Sequence, residues 1–257
     1  DEAYFNAKRN VEVKTFSDPD ELILAYNPEI HGSPLFMGMD IGIVHDATAF
    51  YIIGMYEGKK KSVLRLEMRS ATFDKQKDTF RKLMRQLPIY RSCIDMTGIG
   101  QQLTREMKAE FGEKTEGILF TMQSKEVLAM NVKTGLERRE FLLENDREFH
   151  SQIHSIKRTP TAGGNFRYDA ERNEKGHADS FWAWALANHA ATDAKKAGFY
   201  AQYASQKKNS VLQSVVYSTI YRTENNVKPN ENRAKPLTHR RGKSLDSVMR
   251  GFTDAWK

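Results

Sequence analysis

The sequence predicts an α/β protein in which helices flank a mixed sheet, made of an antiparallel three-strand meander plus parallel strands. Two observations lead to this fold class. Three β-rich runs lie between residues 35 and 68, and later segments alternate short apolar runs with helical spacing. Composition agrees, because 257 residues with 39% hydrophobic and 28% charged residues exclude a wholly disordered chain, a collagen-like repeat and a disulfide scaffold.

The meander is predicted from three β-rich runs. Residues 35–42 form an apolar run that ends in glycine, residues 48–56 form a second run, and residues 62–68 alternate between apolar and polar side chains. Residues 57–61 are predicted to be the turn between the last two strands, with Lys59, Lys60 and Lys61 solvated at its tip.

The remaining elements follow from changes of period and from caps. Helical spacing begins near residue 73 and stops at Pro88, and Ser124 is predicted to cap a later helix. The predicted order is helix 73–87, strand 90–95, helix 101–111, strand 117–122, a helix from residue 125, helix 147–156, a hairpin of 154–158 with 166–169, and helix 177–191.

The charge of the chain is uneven. Residues 195–257 carry 13 Lys/Arg and 4 Asp/Glu, a surplus of +9, whereas the rest has 27 basic and 29 acidic residues, a net charge of −2. Such a basic end predicts a polyanionic partner, first of all nucleic acid, or a solvated tail without a target. Strand character is weak at 205–221, and residues 225–241 are predicted to be disordered.

Several classes of protein are excluded or disfavoured. Cys93 is the only cysteine, so an intrachain disulfide is impossible and a reducing compartment is expected. No apolar run approaches the roughly 20 residues of a membrane helix. Neither zinc-ligand spacing nor a Gly-Lys-Ser/Thr phosphate loop is found. The first residue is Asp1 rather than Met, which favours a fragment of a longer chain.

Three aspartates are candidate catalytic residues because each stands at the end of an element. Asp40 ends a core strand, where a lone carboxylate costs several kcal/mol unless it is paired or bound to a metal. Asp95 ends another strand and precedes a glycine turn, and Asp179 precedes an apolar helix. A turn or helix-cap role is the alternative for each.

Convergence of the three acids would imply divalent cations, because carboxylates that share a site repel one another. Mg²⁺ and Mn²⁺ prefer oxygen ligands. Two ions about 4 Å apart would activate a water and stabilise the leaving oxygen of a phosphodiester. Asp46 is a further candidate ligand, although a turn role is as plausible.

Other polar and aromatic residues have weaker claims. Glu67 is predicted to lie on the exposed face of its strand, and His177 is more often structural at a helix start than a phosphate-binding residue. Trp182 and Trp184 are predicted to pack in the core rather than stack on bases.

Three motifs together resemble the C-terminal nuclease domain of phage terminase large subunits, most nearly the Mu-like type. They are Met39-Asp40-Ile41-Gly42, the segment Ile94-Asp95-Met96-Thr97-Gly98-Ile99-Gly100, and Gly176-His177-Ala178-Asp179-Ser180-Phe181-Trp182-Ala183. Each motif is short, and their order and spacing carry the resemblance. It covers roughly residues 34–191.

The resemblance implies an RNase H-like fold and a metal-dependent endonuclease that cuts double-stranded viral DNA during packaging. By position, Asp40, Asp95 and Asp179 match the three metal-binding acids, and Asp46 matches an additional acid of some members. Two Mg²⁺ or Mn²⁺ ions are expected. The implied partners are the terminase ATPase domain, the small subunit and the portal. The implied location is the host cytoplasm and not the mature virion.

These expectations divide the chain into a linker or end of a preceding domain at 1–33, the nuclease domain at 34–197, and a basic, partly disordered tail at 198–257. Other interpretations remain open at this stage. An actin-like ATPase also begins with a strand ending Asp-x-Gly, a junction resolvase or transposase core shares the fold, and a DNA-binding packaging module would use the acids as caps.

Overall fold

A mixed sheet forms the centre of the part of the chain that the computed structural model describes, residues 13–42, 46–161, 166–170 and 178–192. Seven of the described strands belong to this sheet, and two more form a separate hairpin. The strands are β1 Thr15–Phe16, β2 Leu35–Asp40, β3 Thr48–Tyr56, β4 Lys59–Met68, β5 Ile89–Asp95, β6 Thr115–Ile118, β7 Phe141–Leu142, β8 Ile156–Pro160 and β9 Phe166–Ala170.

The sheet order is β1-β4-β3-β2-β5-β6, and β7 also pairs with β4. Strands β2, β3 and β4 are antiparallel neighbours, whereas β5 runs parallel to β2 and β6 runs parallel to β5. The predicted meander with added parallel strands is therefore confirmed. The predicted hairpin is also found, as the antiparallel pair β8 and β9.

Seven α-helices connect or cover the described strands, and most begin at a side chain that accepts backbone N–H groups. Asp18, Thr72 and Asp146 cap their helices in this way. The helices are α1 Pro19–Ala25, α2 Pro28–His31, α3 Phe73–Gln86, α4 Gly100–Phe111, α5 Met122–Glu137, α6 Arg147–Ser155 and α7 Asp179–Thr192, with a 3₁₀ turn at Gly112–Lys114.

The start of α5 differs from the prediction. Thr121, not Ser124, is the N-cap, and the two residues form a reciprocal capping box. The backbone N–H of Ser124 donates to Thr121 Oγ1 at 3.1 Å, and the N–H of Thr121 donates to Ser124 Oγ at 2.8 Å. Because Thr121 and Met122 belong to the start of α5, the predicted strand 117–122 ends earlier, at Ile118.

The turn between β3 and β4 is shorter than predicted. Glu57 and Gly58 have φ values of 48° and 77°, as in the two-residue turns that suit a hairpin. The three lysines are therefore part of β4. Lys60 is buried, with its Nζ 5.4 Å from the centre of the Phe141 ring, so the prediction of a solvated lysine tip is wrong for this residue.

Alternate residues of each central strand enter different cores. Leu35, Met37 and Met39 of β2 join a cluster with residues of α3 and α4. Phe36 joins the opposite cluster, which contains residues of α5, α6 and α7. The sheet is thus covered by helices on both faces, as a layered α/β architecture requires.

Helix α7 packs directly against β2. A Cβ atom built on Gly38 would lie only 1.9 Å from the Ala183 carbonyl oxygen and 2.4 Å from the Ala187 nitrogen. Glycine is thus required here by the close approach of two backbones. Alanines on α7 permit the same approach, and the N-terminus of α7 is held beside the end of β2.

Part of the segment predicted to be a linker packs on the sheet. Strand β1 pairs in parallel with β4, and Leu22 of α1 is fully buried. The domain boundaries at residues 34 and 198 stay predictions, and the basic tail at 198–257 lies outside the described residues. Among the described helices, none is both long and apolar enough to cross a bilayer.

Candidate metal centre

Asp40 and Asp95 lie side by side at one edge of the sheet. Met39 of β2 pairs in parallel with Ile94 of β5, so the residue that ends each strand lies at the same edge. Both side chains belong to the face that α7 covers, because Asp40 alternates with Gly38, and Asp95 with the buried Cys93 of that face. Their exposed fractions are only 9% and 7%.

Asp179 is the first residue of α7 and reaches the same edge. Its Oδ2 accepts a hydrogen bond from the backbone N–H of Ala47 at 3.2 Å, across the loop that follows β2. Its negative charge and those of Asp95 and Asp46 all act on Asp40. The structure therefore brings together the three predicted aspartates and Asp46, although they are up to 139 positions apart in the sequence.

Burial and like charges make this a costly place for an anion. The pKa of the Asp40 carboxyl is raised well above its usual value, first by burial and then by the charges of Asp95 and Asp179. Burial also raises the pKa of Asp95, and hydrogen bonds from Thr97 oppose that rise. A bound cation would offset both penalties.

Thr97 orients Asp95. The Asp95 Oδ1 atom accepts the Thr97 backbone N–H at 2.9 Å and its hydroxyl at 2.6 Å. The same hydroxyl oxygen accepts the backbone N–H of Phe120 at 3.1 Å. The carboxylate is thereby tied to the segment that follows β6, which limits the orientations available to it.

A family model described as Terminase RNaseH-like domain matches residues 37–191, more than half of the chain. The chain belongs to this family. The matched segment begins in β2 and ends in α7, so it includes Asp40, Asp95 and Asp179. The resemblance noted in the sequence is confirmed at the level of the terminase family, whereas the nearer likeness to the Mu-like type stays a prediction.

Solved terminase nucleases have the same fold. The large terminase nuclease of thermophilic phage G20c, with bound magnesium, has a TM-score of 0.53 at 22% identity, covering 60% of this chain and 80% of that chain. The nuclease domain of the Thermus phage P74-26 large terminase has a TM-score of 0.51 at 21% identity, covering 63% and 80%. The RNase H-like fold is thus confirmed. No curated protein matches the chain.

Sequence reasoning missed two polar residues beside the terminase aspartates. The positive charge of Lys125, in the first turn of α5, acts on Asp40 and Asp95 and opposes the rise in their pKa values. Thr97 was part of a recognised motif, and its position two residues after Asp95 is typical of an Asx turn. No local signal marks Lys125, because α5 reaches the site only through tertiary packing.

Glu67 is placed differently from the prediction. Its side chain lies on the α7 face of β4 and is only partly exposed, and its Oε1 accepts the Ser180 hydroxyl at 2.5 Å. The prediction of an exposed strand face is therefore wrong. Trp182 and Trp184 are buried in the core, as predicted, and His177 lies outside the described residues.

A second cluster of potential metal ligands occurs on the same terminase domain. Among the described residues, ligand atoms of Cys93, Glu116 and His189 all lie within 4.8 Å of one another, a spacing that the aspartates do not reach. The Glu116 carboxylate is already in contact with the Arg91 guanidinium. We therefore assign Glu116 to an ion pair with Arg91 rather than to a metal site.

Proposed function

We propose that this chain is the nuclease domain of a phage terminase large subunit and hydrolyses phosphodiester bonds of double-stranded viral DNA during packaging. The observation that carries the proposal is the convergence of Asp40, Asp95 and Asp179 at one edge of the sheet, two of them nearly buried. Carboxylates gathered in this way fit hard divalent cations.

The donor set supports Mg²⁺ or Mn²⁺. All four candidate ligands supply carboxylate oxygens, the type that both ions prefer. Two related terminase nuclease structures hold magnesium and cobalt. We infer that Asp40, Asp95 and Asp179 would hold the ions and that Asp46 would add a further contact. Such ions, when bound, activate a water and stabilise the leaving oxygen of the phosphodiester.

The surrounding protein holds these ligands in place. Thr97 fixes the orientation of Asp95, and the Ala47 N–H does the same for Asp179. The tight packing of α7 on Gly38 sets the distance between the helix start and the strand ends. This preorganisation reduces the reorganisation needed when substrate binds.

The partners belong to the proposal as well. Double-stranded DNA is the substrate, and sequence preference should be low if phosphate contacts dominate, since they carry no base information. The terminase ATPase domain, the small subunit and the portal are the proposed assembly partners. The proposed place of action is the host cytoplasm. Family membership gives no support to the actin-like ATPase interpretation.

The test is nicking of supercoiled plasmid in Mn²⁺. Asp40→Asn and Asp179→Asn should abolish nicking while the melting temperature stays near that of the wild type. Asp74→Asn is the matched control, because Asp74 lies on α3 with its side chain 84% exposed and pairs with Lys77. Full activity of purified Asp40→Asn protein would refute the assignment.

Two further comparisons separate the remaining interpretations. Faster cleavage of a four-way junction than of linear duplex would favour a junction resolvase. If millimolar Mn²⁺ neither shifts the melting temperature nor permits cleavage, the aspartates act as structural caps and the domain is a DNA-binding packaging module.

A further inference from the structure

The ammonium group of Lys125 lies over two aromatic rings beside the aspartate cluster. Its Nζ lies 4.5 Å from the centre of the Trp182 ring and 5.4 Å from that of Phe120. Trp182 follows Asp179 by three residues, about one turn of α7. The backbone N–H of Phe120 donates to Thr97, which itself holds Asp95. Each ring therefore lies on a segment that also positions one of the aspartates, Trp182 with Asp179 and Phe120 with Asp95.

The ammonium group retains capacity for another ligand. It donates to Asp169 Oδ1 of strand β9 at 2.7 Å, and the Lys125 side chain is 22% exposed. Lysine has three N–H donors, and this ion pair uses one of them. The carboxylate of Asp169 is also shared, because its Oδ2 lies 3.2 Å from Arg167 Nε.

A positively charged side chain would help the aspartate cluster to bind a phosphate. Asp40, Asp95, Asp179 and Asp46 repel a phosphate group, and the net charge outside residues 195–257 is −2. Metal ions held by these acids would offset part of that repulsion. The ammonium group of Lys125 lies over Trp182, one turn of α7 from Asp179, and over Phe120, whose N–H donates to Thr97. This geometry places the positive charge on the side of the cluster where a phosphate would meet the acids, and the same charge opposes the rise in the pKa values of Asp40 and Asp95.

We propose that Lys125 is a substrate-binding residue whose ammonium group donates to a non-bridging oxygen of the DNA phosphate at the aspartate cluster. The proposal rests on the proposed nuclease function. The two rings hold the lysine stem and restrict its rotamers, so less entropy is lost when the phosphate is bound. The competing explanation is purely structural, with Lys125 acting as a tether between α5 and strand β9 through Asp169.

The experiment compares four variants with the wild type. Lys125→Met keeps an apolar stem on the rings but removes the charge, and Lys125→Arg keeps the charge. Lys133→Met is the matched control, since Lys133 lies two turns further along α5 and pairs with Glu137 on the surface. Asp169→Asn breaks the proposed tether and leaves Lys125 charged.

Two measurements are made on each variant. The first is the rate of plasmid nicking in Mn²⁺, which we expect Lys125→Met to lower about 100-fold, as for loss of one preorganised donor. The second is the salt dependence of binding to a fluorescein-labelled DNA duplex in Ca²⁺. There Lys125→Met should reduce the log–log slope by about 1, the contribution of one phosphate contact. Lys133→Met should match the wild type, and Lys125→Arg should retain most activity.

The outcomes distinguish the proposals. If Lys125→Met nicks and binds DNA like the wild type, the substrate-binding role is wrong. If Asp169→Asn loses as much as Lys125→Met in both measurements, Lys125 is a tether and the proposal also fails. If the wild type itself does not nick, the nuclease function fails, and the salt slope still decides whether Lys125 contacts phosphate.

Discussion

Arg65 lies in the core of the protein, where an isolated charge would be strongly destabilising. Its exposed fraction is 3%, and its guanidinium contacts the carboxylates of Glu144 and Asp146 and the hydroxyl of Thr15. The hydroxyl of Tyr51 lies within hydrogen-bond distance of both Glu144 carboxylate oxygens. This network joins three strands to the loop before α6.

Asp146 makes the network sensitive to pH. Burial raises the pKa of this carboxyl, but the charge and hydrogen bond of Arg65 outweigh that effect and lower it below its ordinary value. A carboxyl with a lowered folded-state pKa stabilises the fold at pH values above its unfolded pKa, about 3.9. That stability is lost as the pH falls through the folded-state pKa.

We therefore expect Asp146→Asn to be less stable than the wild type at pH 7, with a difference that shrinks as the pH falls below about 4. Urea unfolding at pH 7, 5, 4 and 3 measures it. Asp78→Asn serves as the control, because Asp78 forms an exposed surface pair with Arg81. A difference between Asp146→Asn and the wild type that grows toward low pH would contradict the assigned direction of the pKa shift.

At the scale of elements, the spacing between α7 and β2 decides whether a site exists. Strands β2 and β5 present Asp40 and Asp95, and only the close seating of α7 adds Asp179 to them. The helix is apolar around its circumference and buried along most of its length. Close packing therefore sets most of its position, and the polar contacts of Asp179 and Ser180 hold its first turn.

Gly38→Ala should destabilise the fold and abolish nicking. The new methyl group would meet the α7 backbone at 1.9 Å, so the helix must move and carry Asp179 away from Asp40. Overpacking of this kind typically costs about 1–3 kcal/mol, and a backbone clash lies at the upper end. Urea unfolding and plasmid nicking are the measurements.

The control for this substitution is Gly58→Asn. Gly58 also lies in the sheet region, at the β3–β4 turn, where a Cβ would meet no atom within 4 Å and asparagine tolerates the positive φ. This variant should nick DNA at the wild-type rate. Wild-type activity in Gly38→Ala would show that α7 does not set the geometry of the site.

For the whole molecule, the distribution of charge bears on the proposed binding to DNA. Residues 195–257 have a net charge of +9, whereas the rest of the chain, which contains the proposed metal site, has a net charge of −2. On the proposed function, affinity for DNA would come from local cations, bound metal and the basic tail. This division predicts that cleavage and salt-dependent affinity are separable.

Removal of residues 198–257 should weaken DNA binding and flatten its salt dependence. Each phosphate contact that is lost lowers the slope by about 0.9, so loss of several tail contacts is readily measured. Nicking at low salt should persist, because the proposed ligands are all elsewhere. The comparison uses fluorescence anisotropy at several salt concentrations. An unchanged slope would mean that the tail is solvated and has no role on DNA.

Much of the fold follows from local sequence. Apolar runs, alternation and helical spacing identify strands and helices because each element must bury at least one face in the core. The predicted element bounds are wrong at two places. Thr121 forms a helix cap with Ser124 instead of the end of a strand, and the turn between β3 and β4 is so short that Lys60 belongs to the sheet. The prediction for Glu67 is wrong because alternation along a strand separates its two faces but does not show which face a helix covers. Helix α7 covers the face that carries Glu67.

The sequence by itself determined the element types, the position of Asp40, Asp95 and Asp179 at element ends, and the likeness to terminase nucleases. These properties depend on short-range spacing, which the order of residues contains directly. Only the tertiary structure decided that β2 and β5 are neighbours, that α7 seats on Gly38, and that Lys125 lies beside the acids. Those contacts join residues far apart in the chain, and their distances depend on sheet order and side-chain packing rather than on local periodicity.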